Sequence, residues 1–281
     1  GITYNPQKDV FYIISDDRKN KIRFYEAAFF IGEKGIDSIQ FLNVHEIKNQ
    51  INESYKSWDE FPSESADPED IRFNPSTNLL TWTDEGEKLA TENDSLIIVD
   101  PSINIMALNG TYLNSINPPT KIKYYDSEKG LKRNKSLESL SFSSDYKHLY
   151  TISEEAIIED APSLARLFKF DLKSNEWTES FFYKISESKK NYDGPGISAI
   201  LFINENQFLS VERSYNVLLS KNEIELFLCD LSKASNIIRY DMLDDKSSIK
   251  RISKTKLISL SDCPVEIENV EGLTFGKDLE N

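Results

Sequence analysis

A hairpin written several times into one chain constrains this sequence more than any other feature. "GITYNPQKDVFYIISDDR" (1–18), "PEDIRFNPSTNLLTWTDE" (68–85), "SLESLSFSSDYKHLYTISEE" (136–155) and "GISAILFINENQFLSVER" (196–213) follow one plan. Each has an apolar strand with an aromatic anchor, a polar turn, and a second apolar strand ending in an acid. "NVEGLTFGKDLEN" (269–281) starts the same plan. The anchors Tyr4, Phe73, Phe142, Phe202 and Phe275 recur 60 to 73 residues apart. Repetition at such a period marks an array of like units. The turns are rich in Asn, Pro, Ser and Asp, as hairpin loops require. Along the strands side chains alternate, so Glu69, Ile71 and Phe73 share a face, as do Glu138, Leu140 and Phe142, and Glu271, Leu273 and Phe275.

A second strand–turn–strand segment follows each of the first four, at 22–44, 95–110, 165–185 and 224–242. Two hairpins make four antiparallel strands, which is one blade of a β-propeller. The expected fold is therefore all-β: one propeller domain over 1–281, with units starting near 1, 68, 137, 197 and 270. Five or six blades are expected, the last incomplete in this chain. The polar stretches 49–66 and 125–135 read as loops.

In an antiparallel hairpin the start of the first strand lies beside the end of the second. One rim of each blade then collects charge. First-strand starts supply Glu69, Glu138 and Glu271, with Ser198 at the matching place in the fourth unit. Second-strand ends supply Asp16, Glu85, Glu154 and Glu212, flanked by Asp17 and Glu155. Arg18, Arg23, Arg133, Arg166 and Arg213 fall close by. Because first strands of propellers line the central channel, these acids are expected to converge at its mouth. Crowded carboxylates cost stability unless cations neutralise them. Arginines can do so, and so can a bound Ca²⁺, which accepts carboxylate oxygens in loose geometry. The bland alternative is that the acids tie blade to blade.

Composition narrows the partners. A net charge of −14 argues against nucleic acid and anionic membranes. No apolar run approaches the ~18 residues of a membrane span. The chain starts at Gly1 rather than Met, which is compatible with removal of an export signal. The two cysteines, Cys229 and Cys263, leave free thiols or one disulfide open and are too few and too distant for zinc. His45 lies by an outer strand and His148 at a turn, away from the rim, so a Ser-His-Asp triad is not expected. Phosphate loops and dinucleotide fingerprints are missing from the sequence.

"GITYNPQKDVFYIISDDR", "DPEDIRFNP", "LESLSFSSDYKHLYTISEE", "ARLFKFDL", "ISAILFINENQFLSVERSY" and "NVEGLTFG" resemble, in that order, the phytase-like family described as having esterase-like activity. The resemblance runs from Gly1 to Phe275. It implies a β-propeller, often exported in bacteria (periplasmic, secreted or lipoprotein), that hydrolyses esters or phosphate esters. The family pattern falls on Asp16, Asp17, Arg18, Asp67, Glu69, Glu85, Arg133, Asn134, Glu138, Glu154, Arg166, Glu212, Arg213, Asn269 and Glu271.

Two functions follow as expectations. The first is a monomeric, Ca²⁺-assisted hydrolase of a small anionic or ester substrate. Its metal would be held by Asp16, Asp17, Glu69, Glu85, Glu212 and Glu271, its base would be Glu138 or Glu154, and its substrate would be clamped by Arg18, Arg133, Arg166 and Arg213. The second is a propeller that binds a ligand without turnover, its acidic rim being structural.

Overall fold

A computed structural model describes residues 1–33, 35–91, 95–242, 244, 248–264 and 267–278. The chain forms two compact units, Gly1–Pro118 with Leu273–Asn281, and Pro119–Gly272. Both are built from propeller-type blades.

The first unit contains β1 (Ile2–Asn5), β2 (Val10–Ile14), β3 (Arg23–Gly32), β4 (Gly35–Glu46), β5 (Pro68–Asn74), β6 (Leu79–Asp84), β7 (Glu87–Ala90), β8 (Leu96–Val99), β9 (Ser102–Met106) and β10 (Tyr112–Ile116). They make two four-stranded antiparallel sheets, β1-β2-β3-β4 and β10-β9-β6-β5, and a ribbon, β7-β8. The second unit contains β11 (Ser139–Phe142), β12 (His148–Ile152), β13 (Leu164–Asp171), β14 (Glu176–Lys184), β15 (Tyr192–Phe202), β16 (Gln207–Asn216), β17 (Lys221–Asp230) and β18 (Ser253–Ser259). Its sheets run β11-β12-β13-β14 and β15-β16-β17-β18.

The turns explain the register. Asn5 and Asn74 stand at matching places, and each side chain accepts the N–H two residues on, Gln7 at 3.0 Å and Ser76 at 2.9 Å. Such Asx turns reverse the chain tightly. Asp9 and Asn78 close the same turns at positive φ, 54° and 58°, a conformation their short polar side chains tolerate.

The cores lie between neighbouring sheets of one unit. Tyr12, Phe24, Ile71, Phe73, Trp82 and Met106 cluster in the first, and Tyr150, Leu167, Tyr183, Ile200, Phe208 and Phe227 in the second. First strands of adjacent blades are joined by hydroxyls. Thr3 Oγ1 accepts the Phe73 N–H at 3.0 Å, and Ser141 Oγ accepts the Phe202 N–H at 2.9 Å. Small hydroxyl residues let the strands approach while satisfying buried N–H groups.

Two expected outer hairpins differ from what is built. In 95–110, β8 leaves the blade and pairs with β7, so the blade's outer pair is β9 and β10. Gly86 turns the chain at φ 73° against the carbonyl of Val99, and Pro101 interrupts the apolar run between β8 and β9. In 224–242 only β17 forms, and its partner is β18, far along the chain. The segment expected to pair with β17 instead places Ile237 with Leu164 and Phe182. At 267–278 no strand forms, and Phe275 is 55% exposed rather than an inward anchor. Cys229 and Cys263 are free thiols.

Candidate functional site

Each unit has its own acidic cluster. In the first, the ends of β2 and β6 and the start of β5 meet. Asp16, Asp67 and Glu69 each offer a carboxylate oxygen, all within 4.8 Å of one another. Asp67 and Glu69 are buried. Glu85 brings an oxygen within 4.8 Å of one on Glu69. Arg18 pairs with Asp67, reaches Glu87 at 3.4 Å, and lies 4.7 Å over the Trp58 ring. Trp58 donates its indole N–H to Glu87 at 2.8 Å.

Burial pushes the Asp67 carboxyl up to about 7, against the pull of Arg18 and with help from Asp16, Asp84 and Glu87. Burial likewise pushes Asp84 up to about 6, although its Oδ1 accepts the N–H groups of Asp67 and Gly86. One arginine therefore does not offset this cluster. The donor set consists of hard oxygens from three chain positions at spacings a Ca²⁺ ion could bridge, and it contains no sulfur or imidazole. It fits Ca²⁺.

Asp17 stands apart from this group. Its carboxylate folds back on its own turn, accepting the side-chain amide of Asn20 at 2.9 Å and Arg23 at 3.1 Å, which hold its pKa below the usual range.

In the second unit the acids gather around cations of the chain. Arg213 donates to Glu271 and Asn269, each at 2.5 Å, and reaches Glu154 at 3.4 Å. Burial opposes the Arg213 charge, but Glu138, Glu154 and Glu271 outweigh it and raise its pKa. Lys135 adds a 3.0 Å bond to the same oxygen of Glu154. Glu154 is 2% exposed, and its Oε2 has no hydrogen-bond partner among the described residues.

Elsewhere in this unit Glu212 is held by Lys254, by the Tyr183 hydroxyl at 2.7 Å and by the Ser186 N–H at 3.1 Å. Arg166, 1% exposed, is committed to Asp160 through bonds of 2.5 and 2.8 Å and to the carbonyl of Tyr240 at 3.0 Å. Arg133 is exposed on the loop before β11. His45 lies within β4, 3.3 Å from Glu26, and His148 opens β12, 3.4 Å from Asp171.

The structure thus brings together Asp16, Glu69, Glu85 and Arg18 in one unit, and Glu138, Glu154, Arg213 and Glu271 in the other. Asp17, Glu212 and Arg166 each have partners of their own. Asp84, Glu87 and Trp58 were not among the expected site residues. The signal for the first two is the run "TDEGE" (83–87), which sets three acids about a turn glycine.

Blades of this topology with carboxylates gathered at their strand ends define an acidic β-propeller protein. The chain belongs to the Phytase-like family, described as "Esterase-like activity of phytase", which matches residues 1–281. No curated protein matches it. Similar solved structures include the periplasmic gluconolactonase of Pseudomonas aeruginosa, at 9% identity and TM-score 0.43, covering 84% of this chain and 69% of that one. The endo-arabinase of Bacteroides thetaiotaomicron has 9% identity and TM-score 0.41, covering 80% and 72%. The WD40 repeats of RRP9 have 8% identity and TM-score 0.35, covering 84% of this chain and 61% of that one. The chain therefore spans less than two thirds of the RRP9 structure.

Proposed function

We propose that the protein is a hydrolase of carboxylic or phosphoric esters, assisted by Ca²⁺ at Asp16, Asp67 and Glu69. The observation that carries this reading is Asp67, a buried carboxyl raised to about 7 beside two further acids. Such a group gains most from a cation close to it. When bound, the ion would polarise an ester or phosphoryl oxygen and offset its charge. Arg18, anchored over Trp58, is the adjacent fork for an anionic group. Glu85 shares the cluster through Glu69.

Taken by itself, the second unit offers Glu154 as its candidate general base, with Glu138 as its neighbour around Arg213. Lys135 and Arg213 both act on Oε1, which leaves Oε2 as the oxygen able to take a proton. Arg213 is the substrate-anion group of this unit, and Arg133 lies exposed on the loop before β11. Export to the periplasm or outside the cell belongs to the same proposal. No helix among the described residues is long and apolar enough to cross a membrane.

A second reading has its own support. The second unit neutralises its acids internally through Arg213, Lys135 and Lys254, as a structural rim would. The rim of a non-catalytic, ligand-binding propeller would look the same there. Turnover of 4-nitrophenyl acetate and 4-nitrophenyl phosphate, with Ca²⁺ and with chelator, separates the two. The hydrolase reading expects turnover that Ca²⁺ raises and that Asp67→Asn lowers. Turnover unchanged in Glu154→Gln excludes the proposed base, and lack of turnover on either ester favours the binding propeller.

A further inference from the structure

Beside the acid cluster, and sharing Asp84 with it, the first unit has a cavity of about 350 Å³ lined by the 49–65 loop, the end of β6 and the start of β9. That volume is in the range of small-molecule sites. Its ionisable lining is Glu53, Glu64, Asp84 and Asp100 against one base, Lys56. Asp84 is the buried member, at 6% exposed. Its Oδ1 is occupied by the N–H groups of Asp67 and Gly86 at 2.9 and 3.0 Å, while Oδ2 accepts no hydrogen bond from any described residue. Across the cavity Tyr55 is fixed edge-on to Trp82, with ring centroids 6.2 Å apart. The Tyr55 hydroxyl has no hydrogen-bond partner among the described residues.

We propose that this cavity binds a small organic ammonium ion, with the Asp84 carboxylate as its buried counter-charge and Tyr55 as its aromatic wall. The lining repels anions. A neutral polyol would supply a donor to Asp84 but leave its charge uncompensated, and an uncompensated buried carboxylate is costly. An ammonium group supplies both donor and charge, and charge-assisted bonds are the stronger kind. The face or hydroxyl of Tyr55 offers the second contact, since aromatic rings attract cations. This inference does not depend on catalysis at the acid cluster, because the cavity could bind an amine in a protein that hydrolyses nothing.

The test is calorimetry with putrescine, erythritol and succinate, which are matched in chain length but differ in charge. Salt of about 0.15 M suppresses diffuse attraction to the acidic surface. The expected result is binding of putrescine alone. Asp84→Asn is expected to weaken it about tenfold, as loss of a charge-assisted bond implies. Tyr55→Phe should weaken it a few-fold, and Lys56→Gln should tighten it by about twofold through loss of repulsion. The last two variants keep the test decisive if Asp84→Asn does not fold. Three results would each overturn the proposal: no putrescine heat, putrescine affinity unchanged in all three variants, or preference for erythritol or succinate.

Discussion

Gly196 lies so close to the side chain of Glu154 that a Cβ added to it would meet Oε1, Cδ and Cγ of that residue. The glycine therefore sets where Glu154 stands, with Oε1 toward Lys135 and Arg213. Gly196→Ala is expected to displace the Glu154 carboxylate at little cost in stability, because the atoms it meets are the far end of a flexible side chain. If Glu154 is the general base, kcat should fall with it while KM stays nearly constant. Thermal melts and steady-state kinetics on the same variant check both.

The hydroxyl links between first strands make a prediction about stability alone. Ser141→Ala removes the acceptor of the Phe202 N–H, and Thr3→Val removes that of the Phe73 N–H. Each leaves a buried donor without its partner and should cost about 1–3 kcal/mol in denaturant unfolding. Exposed Ser232→Ala, whose Oγ donates only to Asp230 on the surface, is the control and should have a far smaller effect.

Asp67 gives the metal-free protein an unusual pH dependence. Its pKa rises from 3.8 in the unfolded chain to about 7 in the folded one. Between those values the folded state keeps a proton that the unfolded state has released. Stability from this group is therefore highest at low pH and falls as pH rises through that window. Asp84, raised to about 6, acts in the same direction. With chelator present, the melting temperature should be higher near about pH 5 than near about pH 8, and Asp67→Asn should flatten the difference.

Arg166 was a candidate for holding substrate, yet its guanidinium is sealed against Asp160 and the Tyr240 carbonyl. Arg166→Ala removes the guanidinium that pairs with buried Asp160. The expected cost is about 3–5 kcal/mol, seen in chemical unfolding. A change confined to KM, with stability intact, would return Arg166 to the substrate-binding set.

The inner half of each blade was legible in the sequence because its signals are local. Period-two alternation and the Asx turns at Asn5 and Asn74 fix the first hairpins from within a few residues. The outer half depends on choices the sequence does not display. "SLIIVD" and "SINIMA" both read as apolar strands, and tertiary packing sends β8 to β7 and β9 to β6. Acid positions at strand ends were equally visible, but their partners were not. Asp16 and Asp17 are adjacent, yet one joins Asp67 and Glu69 while the other caps its own turn. Arg18 and Arg166 look alike in sequence and each pairs with a buried acid, but the Arg166 side chain is sealed in the core while that of Arg18 stays partly exposed. Asp84 was hidden because its role depends on the 49–65 loop folding over it.

The central claim is that Asp16, Asp67 and Glu69 hold a hard cation. Titration of the metal-free protein with CaCl₂ in a calorimeter, with wild type and the Asp67→Asn and Glu69→Gln variants side by side, tests it most directly. The account predicts one saturable Ca²⁺ site in the wild type, a melting temperature that rises with Ca²⁺ concentration, and loss of both in each variant. Absence of a binding isotherm at millimolar Ca²⁺, or equal binding by the variants, would contradict it.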